Sequence, residues 1–425
     1  MGMWAQRVAA AGLALMGWLA AAHAAETVVP AGGTSLADAI AAAPAGAVLR
    51  LAPGVHDGPV VIAQPLTLIG QDGAVIDGGG KGSVVRVEAE GVTLRGLDIR
   101  HSGVDLPGRD SAIHLDKGAG GTVIEGNRMT DNLIGVTVWG SQDVIVRDNV
   151  IRGRHDLRIS EQGDGVSIWN APGTRVEGND IAQSRDGVRA VTGRDVAIIG
   201  NTFRELRFAV HFMYTNDSEV SRNRSTGNDL GYALMFSGNL TVRNNLSEND
   251  RDHGIALNYA NDSQFVGNVV RHGGDKCVFI YNSNKNAFRG NIFEGCGIGI
   301  HFTAGSEGNA ISGNGFIGNQ VQVMYVSTRR VDWSHEGRGN YWSDNPAFDL
   351  DGDGIADQPY RPNDIVDRVV WAVPLAKLLL NSPAVQVVRW AQAQFPAISP
   401  GGVVDGAPLM RPPAPGLPPG EDIHG

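Results

Sequence analysis

Ile124-Glu-Gly-Asn127, Val146-Arg-Asp-Asn149, Val176-Glu-Gly-Asn179 and Ile198-Ile-Gly-Asn201 open a series that runs on through Val220-Ser-Arg-Asn223, Val242-Arg-Asn-Asn245, Phe265-Val-Gly-Asn268, Phe288-Arg-Gly-Asn291 and Ile311-Ser-Gly-Asn314. The Asn-to-Asn steps are 22, 30, 22, 22, 22, 23, 23 and 23 residues. About nine or ten residues behind most of these lies a second series of apolar alternations, among them Ile113-His-Leu115, Val136-Thr-Val138, Val210-His-Phe212, Ala233-Leu-Met235 and Val323-Met-Tyr325. A fixed period with alternation of two, not 3.6, excludes helical repeats and leaves strands. A unit this short cannot make a propeller blade of about 40 residues, but it closes one turn of a parallel β-helix. The chain is therefore predicted to be all-β, a right-handed parallel β-helix of about twelve or thirteen coils, on the order of 60 Å long at roughly 4.8 Å per coil.

Asn suits the corners of such a coil, because it tolerates left-handed backbone and its amide can hydrogen-bond up the stack. Glycine bends the chain without the ladder, and 58 of the 425 residues are Gly, about twice the usual share. Residues 1–25 read as a secretory signal, with Arg7, an apolar run over 8–20 and the cleavage pattern Ala22-His-Ala24. The mature chain, 26–362 for the solenoid, is thus expected outside the cytoplasm. A formal net charge of −10 argues against a nucleic-acid partner, since phosphate binding needs a basic face. Ser35 followed by Leu36-Ala-Asp-Ala-Ile40 reads as a capped helix covering the apolar cross-section of the first coil.

Two coils carry extra residues, near His101 to Asp110 and near Arg152 to Gln162, both just before the second-series strand; insertions in solenoids gather on one face. Cys277 and Cys296 are the only cysteines and lie 19 residues apart, offset from the repeat. That offset is expected to hold their Cα atoms beyond the roughly 7 Å limit for a bridge, favouring two buried thiols over a disulfide or a metal pair. Asp349, Asp351, Asp353 and Asp357 alternate with Gly352 and Gly354 in the pattern of a calcium loop, although Tyr360 stands where such a loop has its bidentate Glu. A structural calcium is the expectation. Residues 363–410 carry apolar residues at helical spacing and read as a capping or docking segment, and 411–425 as a disordered Pro-rich tail.

The block Gly339-Asn-Tyr-Trp-Ser-Asp344, the Asp349 to Asp357 loop, Pro359-Tyr-Arg-Pro362 and Leu378-Leu-Leu-Asn-Ser-Pro-Ala-Val385 resemble the NosD family of periplasmic proteins. The repeats are shared with many carbohydrate-active β-helices; the C-terminal block is the more specific part. The resemblance implies a non-enzymatic partner of an ABC-type transporter, built from a permease and a nucleotide-binding subunit, in assembling the copper-sulfur centre of nitrous oxide reductase. It also implies transient receipt of Cu(I) from a periplasmic lipoprotein chaperone.

Alternation along the second series places one outward column at His114, Thr137, Ser167, Arg189, His211, Leu234, Ala256, Phe279, His301 and Met324. A neighbouring column holds Asp116, Trp139, Trp169, Val191, Met213, Phe236, Asn258, Tyr281, Thr303 and Val326. Thioether and imidazole suit Cu(I), which singles out His301 with Met324 and His211 with Met213. Trp139 and Trp169 on this face, with Trp371 and Trp390 in the tail, are the partner-contact candidates. The competing readings are a polysaccharide lyase or uronate C5-epimerase using Arg189, His211 and the Asp252-His253 pair, and a carbohydrate-binding solenoid.

Overall fold

The computed structural model describes residues 26–303, 305–326, 329–363, 366, 369, 373–379, 382–394, 402–414 and 416. The leader and Trp371 lie outside them. Each coil carries three short strands; in the coil of Asn127 these are Val123–Glu125, Arg128–Thr130 and Ile134–Trp139. Like strands pair in parallel from coil to coil into sheets of 13, 13 and 12 strands, here called sheets one, two and three in that order along a coil. The 12 strands of sheet three, from Val60–Ile62 to Val321–Val326, mark the complete coils, with a partial coil at either end.

The corner between sheets one and two is where the repeated Asn works. Asn127 Nδ2 donates to Asn149 Oδ1 at 3.0 Å, Asn149 to Asn179 at 2.9 Å, and the ladder continues to Asn314 and Asn340 at 2.9 Å. Each Oδ1 also accepts a backbone N–H from the coil below, as Asn149 does from Asn127 at 2.9 Å. The expected amide ladder is present, but the expected backbone is not: the left-handed residue is the one before the Asn, as at Gly126 (φ 62°), Asp148 (φ 55°) and Asn244 (φ 53°). The Asn itself is buried, turned inward so that its amide can reach both neighbours.

Inward positions of all three sheets fill one continuous core, with stacks such as Phe265 on Phe288 at 4.4 Å. At the N-terminal end the helix Leu36–Ala42 buries Leu36 and Ile40, and Ser35 accepts from Asp38 N–H as its cap. Gln64 Nε2 donates to the carbonyls of Ile40 and Ala43 at the helix's far end. The opposite end is sealed by aromatic rings: Trp342 stacks on Phe316 at 4.3 Å, with Trp333 and Tyr360 against it.

Three expectations change here. Cys277 and Cys296 form a disulfide with Cα atoms 5.7 Å apart. The offset is folded back because Cys296 lies in the corner between sheets two and three, at residues 295–297, just before the strand Ile298–Thr303 that pairs with the strand of Cys277. Second, the described helical residues do not seal the rod. The 3-10 helix Pro374–Leu379 and the helix Pro383–Gln394 leave Leu375, Leu378 and Trp390 at 78 %, 85 % and 64 % exposure. Third, residues 411–414 and 416 are not free of the fold. After Val403–Val404 pairs with Val331–Asp332, the chain runs back along the Asn corner, with Pro412 and Pro413 against Gly315 and Gly416 against Gly267. Asp405 ends the amide ladder, accepting from Asn340 N–H at 2.6 Å and from Trp342 Nε1 at 2.8 Å. No helix among the described residues is long and apolar enough to cross a membrane.

Candidate functional site

The outward column of sheet three is partly covered, with His114, Thr137, His211 and Ala256 buried and Ser167, Arg189, Phe279, His301 and Met324 half-buried. Register confirms the column His114, Thr137, Ser167, Arg189, His211, then Ala256, Phe279, His301 and Met324. In one coil the sequence reading was off by a residue. Ala233, not Leu234, pairs with His211, and Met235, not Phe236, pairs with Met213. The inward residue of that coil is Tyr232, whose hydroxyl donates to the carbonyls of Asn223 and Leu246; a buried tyrosine hid the true phase of the alternation.

His211 is buried, and its Nδ1 lies 2.9 Å from Asp186 Oδ2. Arg207 donates to both oxygens of the same carboxylate at 2.8 and 2.7 Å. Burial pushes the Asp186 carboxyl up, but the hydrogen bonds from His211 and Arg207 outweigh it and hold it below the ordinary carboxylate range. One coil earlier, Asp164 has Arg185 at 2.9 Å, and there burial wins, raising its pKa. Neither aspartate figured among the candidates, yet Asp164-Gly-Val and Asp186-Gly-Val, 22 residues apart, were the signal. His211 Nε2 is buried with no hydrogen-bond partner. Met213 and Met235, both half-buried, pair across adjacent strands two positions further on.

His301 has both ring nitrogens buried and unpartnered, with Met324 directly across on the next coil and Phe279 at 5.1 Å on the previous one. Burial, with the nearby Lys276 charge, pulls its pKa down to about 4, so the ring is neutral and a potential ligand at any pH above that. Met324 thus faces His301 across adjacent coils, whereas Met213 lies two positions along the strand from His211, and the two sets are four coils apart. Of the competing enzymatic set, Arg189 and His211 are neighbours in register, whereas His253 sits in a different column against Phe279.

An aromatic strip borders this face. Trp139 and Trp169 stack at 3.9 Å, and Arg109 from the first insertion lies 3.8 Å over Trp139. Tyr214, Phe236 and Tyr259 stack at 5.1 and 5.2 Å, all three in left-handed backbone. Bulky residues rarely accept that conformation. Both insertions line a common cleft with His101, Asp131, Arg154 and Asp156.

At the far end, the carboxylates of Asp349, Asp351 and Asp353 come within 4.8 Å of one another. Asp349 accepts from the N–H groups of Gly354 and Gly352, which hold its pKa below the usual range. Asp357 instead closes the loop by accepting from Leu350 N–H at 2.9 Å. Trp390 is exposed on its helix, remote in sequence from the Trp139 and Trp169 pair.

The fold is a parallel β-solenoid whose sheet-three face carries His, Met and aromatic residues at constant register. The family model described as periplasmic copper-binding protein (NosD) matches residues 150–347. A protein of Pseudomonas aeruginosa named as a probable ABC transporter binding protein NosD is 44 % identical over 377 residues, covering 86 % of this chain and 88 % of that one. A counterpart of the same name in Stutzerimonas stutzeri is 41 % identical over 376 residues, covering 85 % of this chain and 86 % of its own. The chain belongs to the NosD family, whose members are named as binding proteins, not enzymes. Among solved structures, the A-module of the Azotobacter vinelandii mannuronan C-5 epimerase AlgE6 aligns with a TM-score of 0.53 at 18 % identity, over 68 % of this chain and 90 % of that one. That likeness is one of fold.

Proposed function

We propose that this protein is an exported accessory subunit of an ABC-type transporter that accepts Cu(I) and hands it on during maturation of the copper-sulfur centre of nitrous oxide reductase. The observation that carries the reading is the outward His and Met column, with buried imidazole nitrogens lacking partners, in a member of a family described as copper-binding and periplasmic. Unpartnered buried nitrogens cost stability unless something uses them, and soft donors favour Cu(I) over the hard cations. His301 with Met324 and His211 with Met213 are the candidate ligands, and a chaperone lipoprotein is the donor. The permease is met through the exposed helical residues, Leu375, Leu378 and Trp390 among them, and the aromatic strip of Trp139 and Trp169 offers a second contact face.

Calcium in the Asp349 loop would have a supporting role, neutralising three converging carboxylates beside the sealed end of the rod. Added calcium should raise the melting temperature of the wild type and not of the Asp351→Asn, Asp353→Asn double variant. Identical melting of the wild type with calcium and with chelator defeats that assignment.

The reading as a whole is tested in the host. Nitrous oxide reductase purified from a strain lacking this gene should have its dinuclear copper centre filled and its tetranuclear sulfide-containing centre missing, by absorption and metal content. A fully assembled reductase from that strain overturns the proposal.

A further inference from the structure

We infer that Cu(I) is held by three side chains, His211 through Nε2, Met213 and Met235, with Asp186 as the anchor behind the histidine. The inference rests on the copper-handling reading and narrows it to one site. His211 Nδ1 is already engaged by Asp186 Oδ2 at 2.9 Å, which turns the other ring nitrogen into the available donor, and that nitrogen is buried with no partner. A histidine oriented by a carboxylate is the arrangement by which proteins fix the tautomer and raise the basicity of a metal-binding imidazole.

Two thioethers complete the set. Met213 is two residues along the same strand and therefore on the same face, and Met235 is its direct partner on the next strand, about 4.8 Å away between strands. Ala233, which faces His211 across the strands, is buried in an apolar cluster with Leu230 and Ala256, and Met235 packs against that cluster, which holds it on the face of His211. Methionine has three rotatable bonds, so both sulfurs can converge on one point. Met235 is the ligand that the sequence hid, since the alternation of that coil reads one residue out of phase.

The surroundings choose the ion and the pair. Arg207 neutralises Asp186, and Arg189 stands beside His211 in register, so a divalent cation gains little there while a soft monovalent one is held by donor chemistry. At His301 only Met324 is adjacent on the next coil; the previous coil offers Phe279, and Lys276 lies 5.6 Å over its ring. Exposed Tyr214 and Phe236 flank the two methionines in sequence, an apolar border suited to excluding water when a donor protein docks.

The test is anaerobic titration of the full-length protein with Cu(I) against a colorimetric Cu(I) chelator, together with X-ray absorption at the copper edge. Wild type should bind one Cu(I) with one nitrogen and two sulfur scatterers. Met213→Leu and Met235→Leu should each lose one sulfur and weaken binding at least about tenfold, and Asp186→Asn should weaken it by roughly 10- to 100-fold while keeping both sulfurs. A His301→Asn, Met324→Leu variant should bind as wild type does; loss of Cu(I) binding in it, with Met213 and Met235 intact, would move the copper to that pair and overturn this site. Wild-type affinity and scattering in both methionine variants would place the copper elsewhere and overturn this site while leaving the copper-handling reading intact. A wild type that binds no Cu(I) overturns both.

Discussion

The corner between sheets one and two and the outer face of sheet three belong to the same coils, yet one repeats and the other does not. At the corner a buried Asn recurs from Asn127 to Asn340 with the same three contacts at each level. On the outer face the same register passes through His, Thr, Ser, Arg, His, Ala, Ala, Phe, His and Met. A stack can be held together only by a contact that every coil makes with the next, so identity from level to level marks structure. Positions that vary at constant register are relieved of that duty, and there the chain can place chemistry.

The sharpest way to break this division is to break the ladder. In Asn223→Ala, the side chain that donates to Asn245 Oδ1 and to the carbonyl of Ile198, and that accepts from Asn201 N–H, is gone. Two buried backbone groups lose their partners, at about 1–3 kcal/mol each, so a loss of about 3 kcal/mol is expected, read as a fall in the denaturation midpoint. Asp405→Ala should follow at about 2 kcal/mol, because it strips the ladder of its terminal acceptor and Trp342 of its partner. Limited proteolysis should then cut the returning strand at 402–414. Replacing 365–400 by a short flexible linker should do neither, since Asn363 and Gly402 are already in contact and Asp405 stays in place. That variant should melt as wild type does and no longer copurify with the permease; retained copurification would remove the helical segment from the docking surface.

The corner between sheets two and three sharpens the contrast, because there the ladder is irregular. Asp250 takes the place held one coil earlier by Asn228, and burial pushes its carboxyl up to about 6 despite hydrogen bonds from Ser247, Ser225 and Asn228 N–H. A carboxyl that is easier to protonate folded than unfolded contributes stability at low pH, lost as pH rises from its unfolded value near 3.8 through about 6. Asp250→Asn removes that dependence and supplies the amide the corner uses elsewhere. The variant minus wild-type stability should rise between pH 4 and pH 6 and then stay level; a difference flat across that range would show that Asp250 is ionised throughout.

Most of the fold was legible because period and burial speak together: a coil that must bury one face of three strands repeats its apolar residues whatever else changes. The Asn ladder, the N-terminal helix with Ser35 and Leu36, and the outward His column were all readable on that basis. What failed was phase and closure. Tyr232 points inward because its hydroxyl finds two carbonyls, and an alternation rule that treats tyrosine as an outward residue moves Met235 to the wrong face. The Cys277 to Cys296 bridge depends on how a corner bends, and residue counting treats the coil as straight. Asp186 was missed because its partners are Arg207 and His211, 21 and 25 residues away, and only the stacked coils bring them together.

The smallest expected effect is the most demanding test of the division. Met213 and Met235 are half-buried and outward, and neither sulfur is asked to satisfy a backbone group. Leucine is close in volume and equally apolar, so a Met213→Leu, Met235→Leu double variant keeps the contact of residue 235 with Leu230, Ala233 and Ala256. Its stability without copper should lie within about 0.5 kcal/mol of wild type, several-fold less than the loss of a single ladder Asn. With Cu(I) present the two proteins should separate, because only the wild type gains the stabilisation that follows ligand concentration over Kd. A double variant that melts far below wild type in the absence of copper would mean that the outer face does carry the stack, and that variation at constant register does not separate chemistry from scaffold in this solenoid.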